Sequence, residues 1–413
     1  MTTLSTLGEK IIGSQIIKIN TTIKAVKDKT VYNYTIGDFD PKINHIPLKL
    51  QLLIVAEYEN NQTNYPSAQG EISLRKSISE HYATKGFIYS ENEILIGAGV
   101  RPLIYTIYKT IVNPNQGVLY AAPSWNNDHY SFLASANSIC VETTQLNNFN
   151  LTARDVLNNI GETRLICLCS PQNPTGSVMY KDTLRDICEL VLLKNSGGKP
   201  ETDTYILYDQ IYSELSDMSY HPLTVCPKIK PFLICVDGVS KSLSATGIRV
   251  GWMMASENVI KQATQIFSHI GAWAPKPEQL AVAKYLGTDD YKDYIEGQKT
   301  HFQYIQEGFM LVIDKYKSYG FDYIKPDGGI YLAIKLPYRK TTTDLNYFLS
   351  FLINECNIGV VPFDYFGCKD SEWFRMSFGN VSTSSYSYES QIEHFNDVLS
   401  RLKIFFNVER ISD

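Results

Sequence analysis

The chain has 413 residues, of which 44% are hydrophobic and 20% are charged, proportions typical of a folded globular protein. This composition excludes global disorder and a collagen-like fibre, and the length suits one large domain plus a smaller one. Lysine and arginine number 38 against 43 acidic residues, so the net charge of −5 gives no reason to expect nucleic acid or an anionic membrane as a partner.

Membrane and metal sites are not expected from the sequence. No apolar run approaches the ~20 residues of a membrane span, and the first ten residues lack the basic end and apolar block of a signal peptide. The eight cysteines include no Cys-x-x-Cys pair, so a structural zinc site is not expected. We predict a cytoplasmic protein with reduced cysteines and no metal.

Short strands and helices alternate through the middle of the chain. The strand candidates are rich in Ile, Leu, Val, Tyr and Cys, and several are apolar at consecutive positions, which is typical of strands covered on both faces. This alternation predicts an α/β fold in which a mainly parallel sheet is flanked by helices. The strand candidates are residues 94–96, 117–121, 164–169, 204–208, 232–236 and 250–255.

The C-terminal part of the chain follows a different pattern. Helical stretches near residues 291–319 and 343–357 flank short strands near 329–334, 359–361 and 373–378. This pattern predicts a smaller α+β domain, with which the N-terminal segment packs. We therefore predict a large domain over residues 46–290 and a small domain formed by residues 1–45 and 291–413.

A lysine and an arginine follow one strand candidate closely. Lys241 comes directly after Ser240, and Arg249 lies further along the same small-residue loop. Partial burial at such a place lowers the pKa of a lysine and lets its neutral amine form a Schiff base. A nearby arginine can hold a phosphate by two hydrogen bonds. Taken alone, the pair is equally compatible with two solvated surface cations.

Two further strand candidates are followed by polar residues. The turn Ser170-Pro-Gln-Asn-Pro-Thr-Gly176 is made rigid by its prolines and can present the amide of Asn173. Asp209 and Tyr212 follow the next strand, where the first could pair with a cationic nitrogen and the second could donate to an oxyanion. Ligands on parallel sheets bind beyond the carboxyl ends of the strands, although isolated residues of these types are usually structural.

Together and in this order, these segments resemble the class I and II aminotransferases, the pyridoxal-phosphate enzymes of the aspartate aminotransferase fold. The resemblance runs from about Tyr34 to Phe378 and rests on Ser-Lys-x(7)-Arg, Pro-x-Asn-Pro-Thr-Gly and Asp-x-x-Tyr. It implies a seven-stranded, mainly parallel sheet and a smaller α+β domain. It also implies pyridoxal 5′-phosphate as cofactor and a homodimer with shared active sites.

The resemblance assigns the cofactor-binding roles residue by residue. Lys241 matches the lysine that forms the internal aldimine and later moves the substrate proton, and Asp209 matches the carboxylate on the pyridine nitrogen. Asn173 and Tyr212 match the pair that hydrogen-bonds the ring O3′. The catalytic residues implied are Lys241, Asp209 and Tyr212. The phosphate-binding residues implied are Gly99, Val100, Arg101 and Arg249, and Ser240 is a further cofactor-binding residue.

Other matches concern the substrate and the second subunit. Pro123-Ser-Trp125 resembles the segment whose aromatic ring stacks on the cofactor, and Tyr65 matches the tyrosine that reaches the phosphate of the neighbouring subunit. Arg375, in Arg-Met-Ser, would bind the substrate α-carboxylate by a two-pronged salt bridge. Gly37 matches the glycine that closes over that carboxylate, where Trp125 and Asn173 also contact the substrate.

Three segments depart from the family pattern. The position three before the lysine is often Ser or Thr and is Gly238 here, which predicts looser cofactor binding. The common Asp-Glu-x-Tyr has Gln210 in its second place, and the usual Pro-Gly-Ser-x-Phe-Gly loop is Pro-Phe-Asp-Tyr-Phe-Gly over residues 362–367. The last change lies near the substrate mouth and puts specificity in doubt.

The resemblance implies transfer of an amino group from an L-amino acid to a 2-oxo acid by a ping-pong mechanism through aldimine and pyridoxamine forms of the cofactor. Arg101 matches a lysine that reads the distal carboxylate in one branch of the family, which favours aspartate or glutamate as donor. His129 and Tyr130 could equally favour an aromatic or broad specificity. A β-lyase or decarboxylase on the same scaffold, and a non-enzymatic regulator, are the remaining alternatives.

Overall fold

A computed structural model describes residues 4–11, 13–383 and 385–406 of the chain. In that part, the strands are β1 (Tyr32–Asn33), β2 (Ile94–Gly97), β3 (Gly117–Ala122), β4 (Asn137–Glu142), β5 (Thr163–Cys169), β6 (Tyr205–Asp209), β7 (Leu233–Gly238), β8 (Gly251–Met254), β9 (Asp322–Ile324), β10 (Tyr331–Lys335), β11 (Ile358–Gly359), β12 (Val361–Pro362) and β13 (Trp373–Ser377). The α-helices there are α1 (Thr6–Lys10), α2 (Gln15–Ala25), α3 (Leu48–Glu59), α4 (Ile72–Ala83), α5 (Val100–Ile111), α6 (Asn127–Ala134), α7 (Ala153–Asn159), α8 (Lys181–Asn195), α9 (Pro222–Val225), α10 (Val239–Ser242), α11 (Glu257–Ile270), α12 (Lys276–Tyr285), α13 (Asp289–Asp314), α14 (Leu345–Asn354) and α15 (Ser385–Phe405).

The central sheet has seven strands in the order β2-β8-β7-β6-β5-β3-β4. Strand β8 runs antiparallel to both of its neighbours, and all the other pairs are parallel. The predicted α/β fold with a mainly parallel sheet is confirmed. The strands from β5 to β7 end side by side, so the segments that follow them meet at one edge of the sheet.

Both faces of this sheet are buried, because successive residues of a strand point to opposite sides. Ile166 and Leu168 of β5 pack in one apolar cluster, while Leu165 and Cys167 pack in another on the other face. This two-sided burial explains the consecutive apolar residues in the sequence of these strands.

A second sheet has four antiparallel strands in the order β12-β13-β10-β9. It packs with α13, α14 and α15 in a cluster rich in phenylalanine. Ile19 and Ile23 of α2 belong to the same cluster, and Tyr32 of β1 pairs with Ile358 of β11. The division of the chain at residues 45/46 and 290/291 stays a prediction.

Some elements were not predicted from the sequence. Strand β4 lies at the edge of the large sheet and is exposed or half-buried throughout, so it lacks an apolar run. Strand β9 is only three residues long, and helix α15 has a mixed polar and apolar sequence. None of the helices in the described part of the chain combines the length and the apolar character that a membrane crossing requires.

Candidate active site

A cavity of about 470 Å³ opens where strands β5, β6 and β7 end. This is the size of a pocket for a small organic ligand. Eleven residues selected from the sequence line it: Gly37, Val100, Arg101, Trp125, Asn173, Asp209, Tyr212, Ser240, Lys241, Arg249 and Arg375. Because they come from distant parts of the chain, only the folding of both sheets brings them together.

Lys241 lies in the short helix α10 directly after β7. Its Nζ donates a hydrogen bond to the carbonyl oxygen of Gly37. Burial lowers the pKa of Lys241 to about 8, and the charges of Arg375, Arg101 and Arg249 act in the same direction against the opposing charge of Asp38. A lysine with this pKa has a neutral fraction near pH 7, as a nucleophile or proton acceptor requires.

Asp209 is the last residue of β6 and carries no ion pair within the described residues. Its Oδ1 accepts a hydrogen bond of 3.1 Å from the backbone N–H of Ile211. Burial raises the pKa of Asp209 to about 6, while that hydrogen bond and the charge of Lys241 oppose the rise. A protonated ring nitrogen placed here would supply the missing cationic partner, so the donor set fits a pyridine cofactor.

The N-terminus of α5 and Arg249 form a cradle suited to a phosphate. Gly99, which precedes the helix, has φ +83°, a conformation that glycine adopts without strain. Arg249 donates from Nη2 to the carbonyl oxygen of Ala98 (2.8 Å) and from Nη1 to that of Thr246 (2.6 Å). Backbone N–H groups at a helix N-terminus beside a guanidinium are typical anion ligands. Gly99 itself does not line the cavity, but a Cβ there would overlap the Arg249 guanidinium.

Steric crowding explains why glycine occupies position 238. Its backbone is extended, and a Cβ would lie 2.8 Å from both the Cα of Gly251 and the carbonyl oxygen of Val250. Strand β8 therefore leaves no room for the serine or threonine that is common here in the family. The predicted looser cofactor binding stays a prediction.

Arg375, on β13, is buried, with 1% of its surface exposed. It donates from Nη1 to Oδ1 of Asn173 (3.0 Å) and from Nη2 to the carbonyl oxygen of Thr35 (2.6 Å). Its Nε has no hydrogen-bond partner in the described part of the chain. A buried guanidinium with a free donor and no carboxylate beside it can bind a substrate carboxylate.

Tyr331 is a site residue that sequence reasoning missed. Its hydroxyl lies 2.8 Å from that of Tyr212, and its ring packs under the Arg375 guanidinium at 4.6 Å. Gly37 lies against the same hydroxyl. Only the antiparallel pairing of β10 with β13 makes Tyr331 and Arg375 diagonal neighbours, so no local motif signals this contact.

Further parts of the cavity wall come from Arg101, from Trp125 and from the N-terminal segment. Arg101 stacks over the ring of Trp125 at 5.0 Å and makes no ion pair with any described carboxylate. Ser14, Ile16 and Ile17, which were not selected from the sequence, also line the cavity.

The altered loop over residues 362–367 packs behind these walls. Its Phe366 is buried and lies 5.0 Å from the Arg375 guanidinium. Neither His129 nor Tyr130 lines the cavity.

Tyr65 lies outside the cavity, with 83% of its surface exposed and its ring edge-on to Trp273 at 5.6 Å. This position leaves it available to a second subunit. The described residues contain no group of three or more His, Cys, Asp or Glu side chains that could hold a metal ion.

Comparison with known proteins agrees with this geometry. The family model for aminotransferase class I and II matches residues 31–388. An aspartate aminotransferase of Bacillus sp. (strain YM-2) is 25% identical, covering 95% of this chain and 96% of its own. A probable aspartate/prephenate aminotransferase of Rickettsia felis is 25% identical, covering 83% and 82%. The crystal structure of the Rhizobium meliloti aspartate aminotransferase superposes with a TM-score of 0.86 at 21% identity, covering 97% and 100%. The chain therefore belongs to the class I and II aminotransferases, and the cofactor of such an enzyme is pyridoxal 5′-phosphate.

Proposed function

We propose that this aminotransferase takes its amino group from a dicarboxylic amino acid, aspartate or glutamate, and gives it to a 2-oxo acid. The observation that carries the proposal is the guanidinium of Arg101. It lines the same cavity as Arg375, and no described carboxylate neutralises it. A substrate with two carboxylates would engage both arginines, whereas alanine would leave Arg101 unused.

The residues around the cavity have separable tasks in this proposal. Arg375 binds and orients the α-carboxylate with its free Nε, and Asn173 holds the guanidinium from the other side. Lys241, with its lowered pKa, accepts a proton at the substrate Cα and returns it. When bound, pyridoxal phosphate supplies the electron sink for the negative charge that this proton transfer leaves.

Three further residues would hold the cofactor. Asp209 would keep a proton on the pyridine nitrogen, because its half-buried carboxylate makes no ion pair with a described cation. Tyr212 would hydrogen-bond the ring O3′ and is itself oriented by the Tyr331 hydroxyl. Arg249 and the first turn of α5 would bind the phosphate.

The relatives include aspartate aminotransferases and a probable aspartate/prephenate aminotransferase, which supports a dicarboxylic donor. A second candidate is an aromatic or broad specificity. It is favoured by the apolar part of the cavity wall, formed by Ile16, Ile17 and Ile36 together with Trp125.

The test is Arg101→Ala in the pyridoxal-phosphate-loaded enzyme, assayed with aspartate, glutamate, alanine and phenylalanine. We expect kcat/KM to fall at least about tenfold for aspartate and glutamate and to stay unchanged for alanine. The matched control is Arg154→Ala, an exposed arginine of α7. An equal loss with alanine contradicts the role of Arg101, and a preference for phenylalanine supports the second candidate.

We propose in addition that the enzyme is a homodimer with shared active sites. The support is the exposed Tyr65 together with an exposed apolar row on α3, formed by Leu48, Leu52 and Val55. Their i, i+4, i+7 spacing gives one continuous face for a second copy of the chain.

We also infer a reducing compartment such as the cytoplasm, because all eight cysteines are unpaired.

Light scattering of Leu52→Asp tests the dimer. We expect the molar mass to fall towards that of one chain and activity to fall with it, because a buried charge opposes association. Leu193→Asp, at an exposed leucine of α8, is the control and should leave both unchanged. A wild-type chain that is monomeric and active would contradict the proposal.

A further inference from the structure

A polar network is buried behind the strands that carry the site. It consists of Tyr82 on α4, Gln210 after β6, Asp237 on β7 and Trp252 on β8, none of them more than 3% exposed. Tyr82 donates to Oδ2 of Asp237 (2.6 Å), and Nε1 of Trp252 donates to the Tyr82 hydroxyl (3.2 Å). Nε2 of Gln210 donates to Oδ2 of Asp237 and to the Tyr82 hydroxyl, both at 3.1 Å.

The carboxyl group of Asp237 is satisfied by neutral donors alone. Its Oδ1 accepts from the backbone N–H of Gly238 at 2.7 Å, and it makes no ion pair within the described residues. Burial raises the pKa of Asp237 to about 7, and the charge of Glu214 adds to the rise. A second carboxyl group in place of the Gln210 amide would face Asp237 directly, where two buried negative charges repel each other.

Two residues of the network are close in sequence to the site residues Asp209 and Lys241. Gln210 follows Asp209 directly, and its backbone N–H donates to the carbonyl oxygen of Val236 (3.0 Å). Asp237 holds the backbone of Gly238, which precedes the helix that carries Lys241. The side-chain bond between Gln210 and Asp237 therefore ties the end of β6 to the end of β7.

We propose that Gln210 and Asp237 form a matched pair of positioning residues that holds the segments of Asp209 and Lys241 in place for the cofactor. The hydrogen bond between Gln210 and Asp237 needs a carboxyl group at one of the two positions and a carboxamide group at the other. This gives a physical account of the glutamine that replaces the common glutamate at position 210. The inference rests on the roles proposed above for Asp209 and Lys241.

The test exchanges the two groups in the full-length protein, using Gln210→Glu, Asp237→Asn and the double variant. For each, we would measure the Kd of pyridoxal phosphate, the visible absorption band of the bound cofactor and the thermal midpoint of the cofactor-free protein. We expect Gln210→Glu to weaken cofactor binding at least about tenfold. The double variant should bind within about threefold of wild type, because its amide again donates to its carboxylate.

Asp237→Ala removes the acceptor of the Tyr82 hydroxyl proton and one of the two acceptors of the Gln210 amide, so it should also weaken cofactor binding. The control is Gln262→Glu on the exposed face of α11, which adds the same charge and should change nothing. If the double variant binds no better than Gln210→Glu, or if Gln210→Glu or Asp237→Ala binds as wild type does, the proposal is wrong. If Gln210→Glu does not fold, recovery of folding and binding in the double variant supports the pair, and no recovery overturns it.

A separate variant distinguishes failure of the Lys241 role from failure of the Gln210–Asp237 pair. Lys241→Ala keeps the network intact, so a wild-type absorption band in that variant would remove the role of Lys241. That result would not depend on the charge exchange.

Discussion

A half-buried carboxyl group, Asp209, and a buried one, Asp237, lie at the ends of the neighbouring strands β6 and β7 and have opposite surroundings. Asp237 accepts three hydrogen bonds and faces a closed layer of side chains, whereas Asp209 accepts one and faces the cavity. Burial raises the pKa of both. The difference indicates that a satisfied buried acid serves the fold, while an incompletely satisfied one at a cavity marks a ligand position.

Two buried arginines repeat the contrast. Arg75 on α4 donates from Nε to the carbonyl oxygen of Gly70 (3.1 Å) and from Nη1 to that of Glu91 (2.6 Å), so it ties loops together. Arg375 leaves its Nε without a partner in the described residues and faces the cavity. Substitutions at these groups test whether hydrogen-bond satisfaction separates the structural polar residues from the ligand-binding ones.

The largest effect is expected for Lys241→Ala, which removes the group proposed to move the substrate proton. We expect kcat to fall by about 10²–10⁴-fold or more, with loss of the visible band of the bound cofactor. The thermal midpoint of the cofactor-free protein should not fall. Lys261→Ala, at an exposed lysine of α11, serves as control. Turnover at the wild-type rate would remove Lys241 from the chemistry.

Arg375→Lys keeps the charge and removes the planar fork that grips a carboxylate. We expect kcat/KM to fall about a hundredfold or more for every amino acid tested, since the α-carboxylate is common to all. The same exchange at Arg185, which is on the surface of α8, should have no effect. A loss restricted to dicarboxylic donors would instead assign Arg375 to the distal carboxylate.

Tyr331→Phe tests the residue that the sequence did not reveal. The change keeps the ring under Arg375 and removes the hydroxyl that contacts Tyr212, so kcat should fall about tenfold. The KM for the donor should change less, because the guanidinium keeps its position. Tyr347→Phe, at an exposed tyrosine, is the matched control. An unchanged kcat would show that Tyr212 does not need this partner.

The smallest effect concerns stability without cofactor. Because burial raises the pKa of Asp209 from 3.8 to about 6, its folded state retains a proton that the unfolded chain loses between those values. Its contribution to the free energy of unfolding therefore falls as pH rises from about 4 to about 6 and stays low above that.

Asp209→Asn should remove this cost and stabilise the cofactor-free protein at pH 7 by on the order of 1 kcal/mol, while weakening cofactor binding. Thermal unfolding across pH would measure it, with Asp293→Asn on the surface of α13 as control. A less stable variant at pH 7 would mean that Asp209 is a satisfied structural acid like Asp237.

Much of this molecule follows from local sequence. Six of the seven strands of the large sheet have apolar runs because they are buried on both faces, and only the exposed edge strand β4 lacks that signal. The motifs around Asn173, Asp209 and Lys241 each follow a strand directly. Parallel strands bring their carboxyl ends together, so local order alone predicted that these residues would meet.

Which polar groups have hydrogen-bond partners depends on contacts between residues that are far apart in the chain. Tyr331 reaches Tyr212 because the residues before β10 pair with those after β6, and Gln210 reaches Asp237 only across two adjacent strands. Ile16 lines the cavity because the N-terminal segment packs with the C-terminal part of the chain. Six strands of the large sheet, the order of the motifs that follow them and the family are all readable from the sequence alone. Hydrogen-bond satisfaction depends on residues far apart in the chain, so the contrast between Asp209 and Asp237 is visible only in the folded structure.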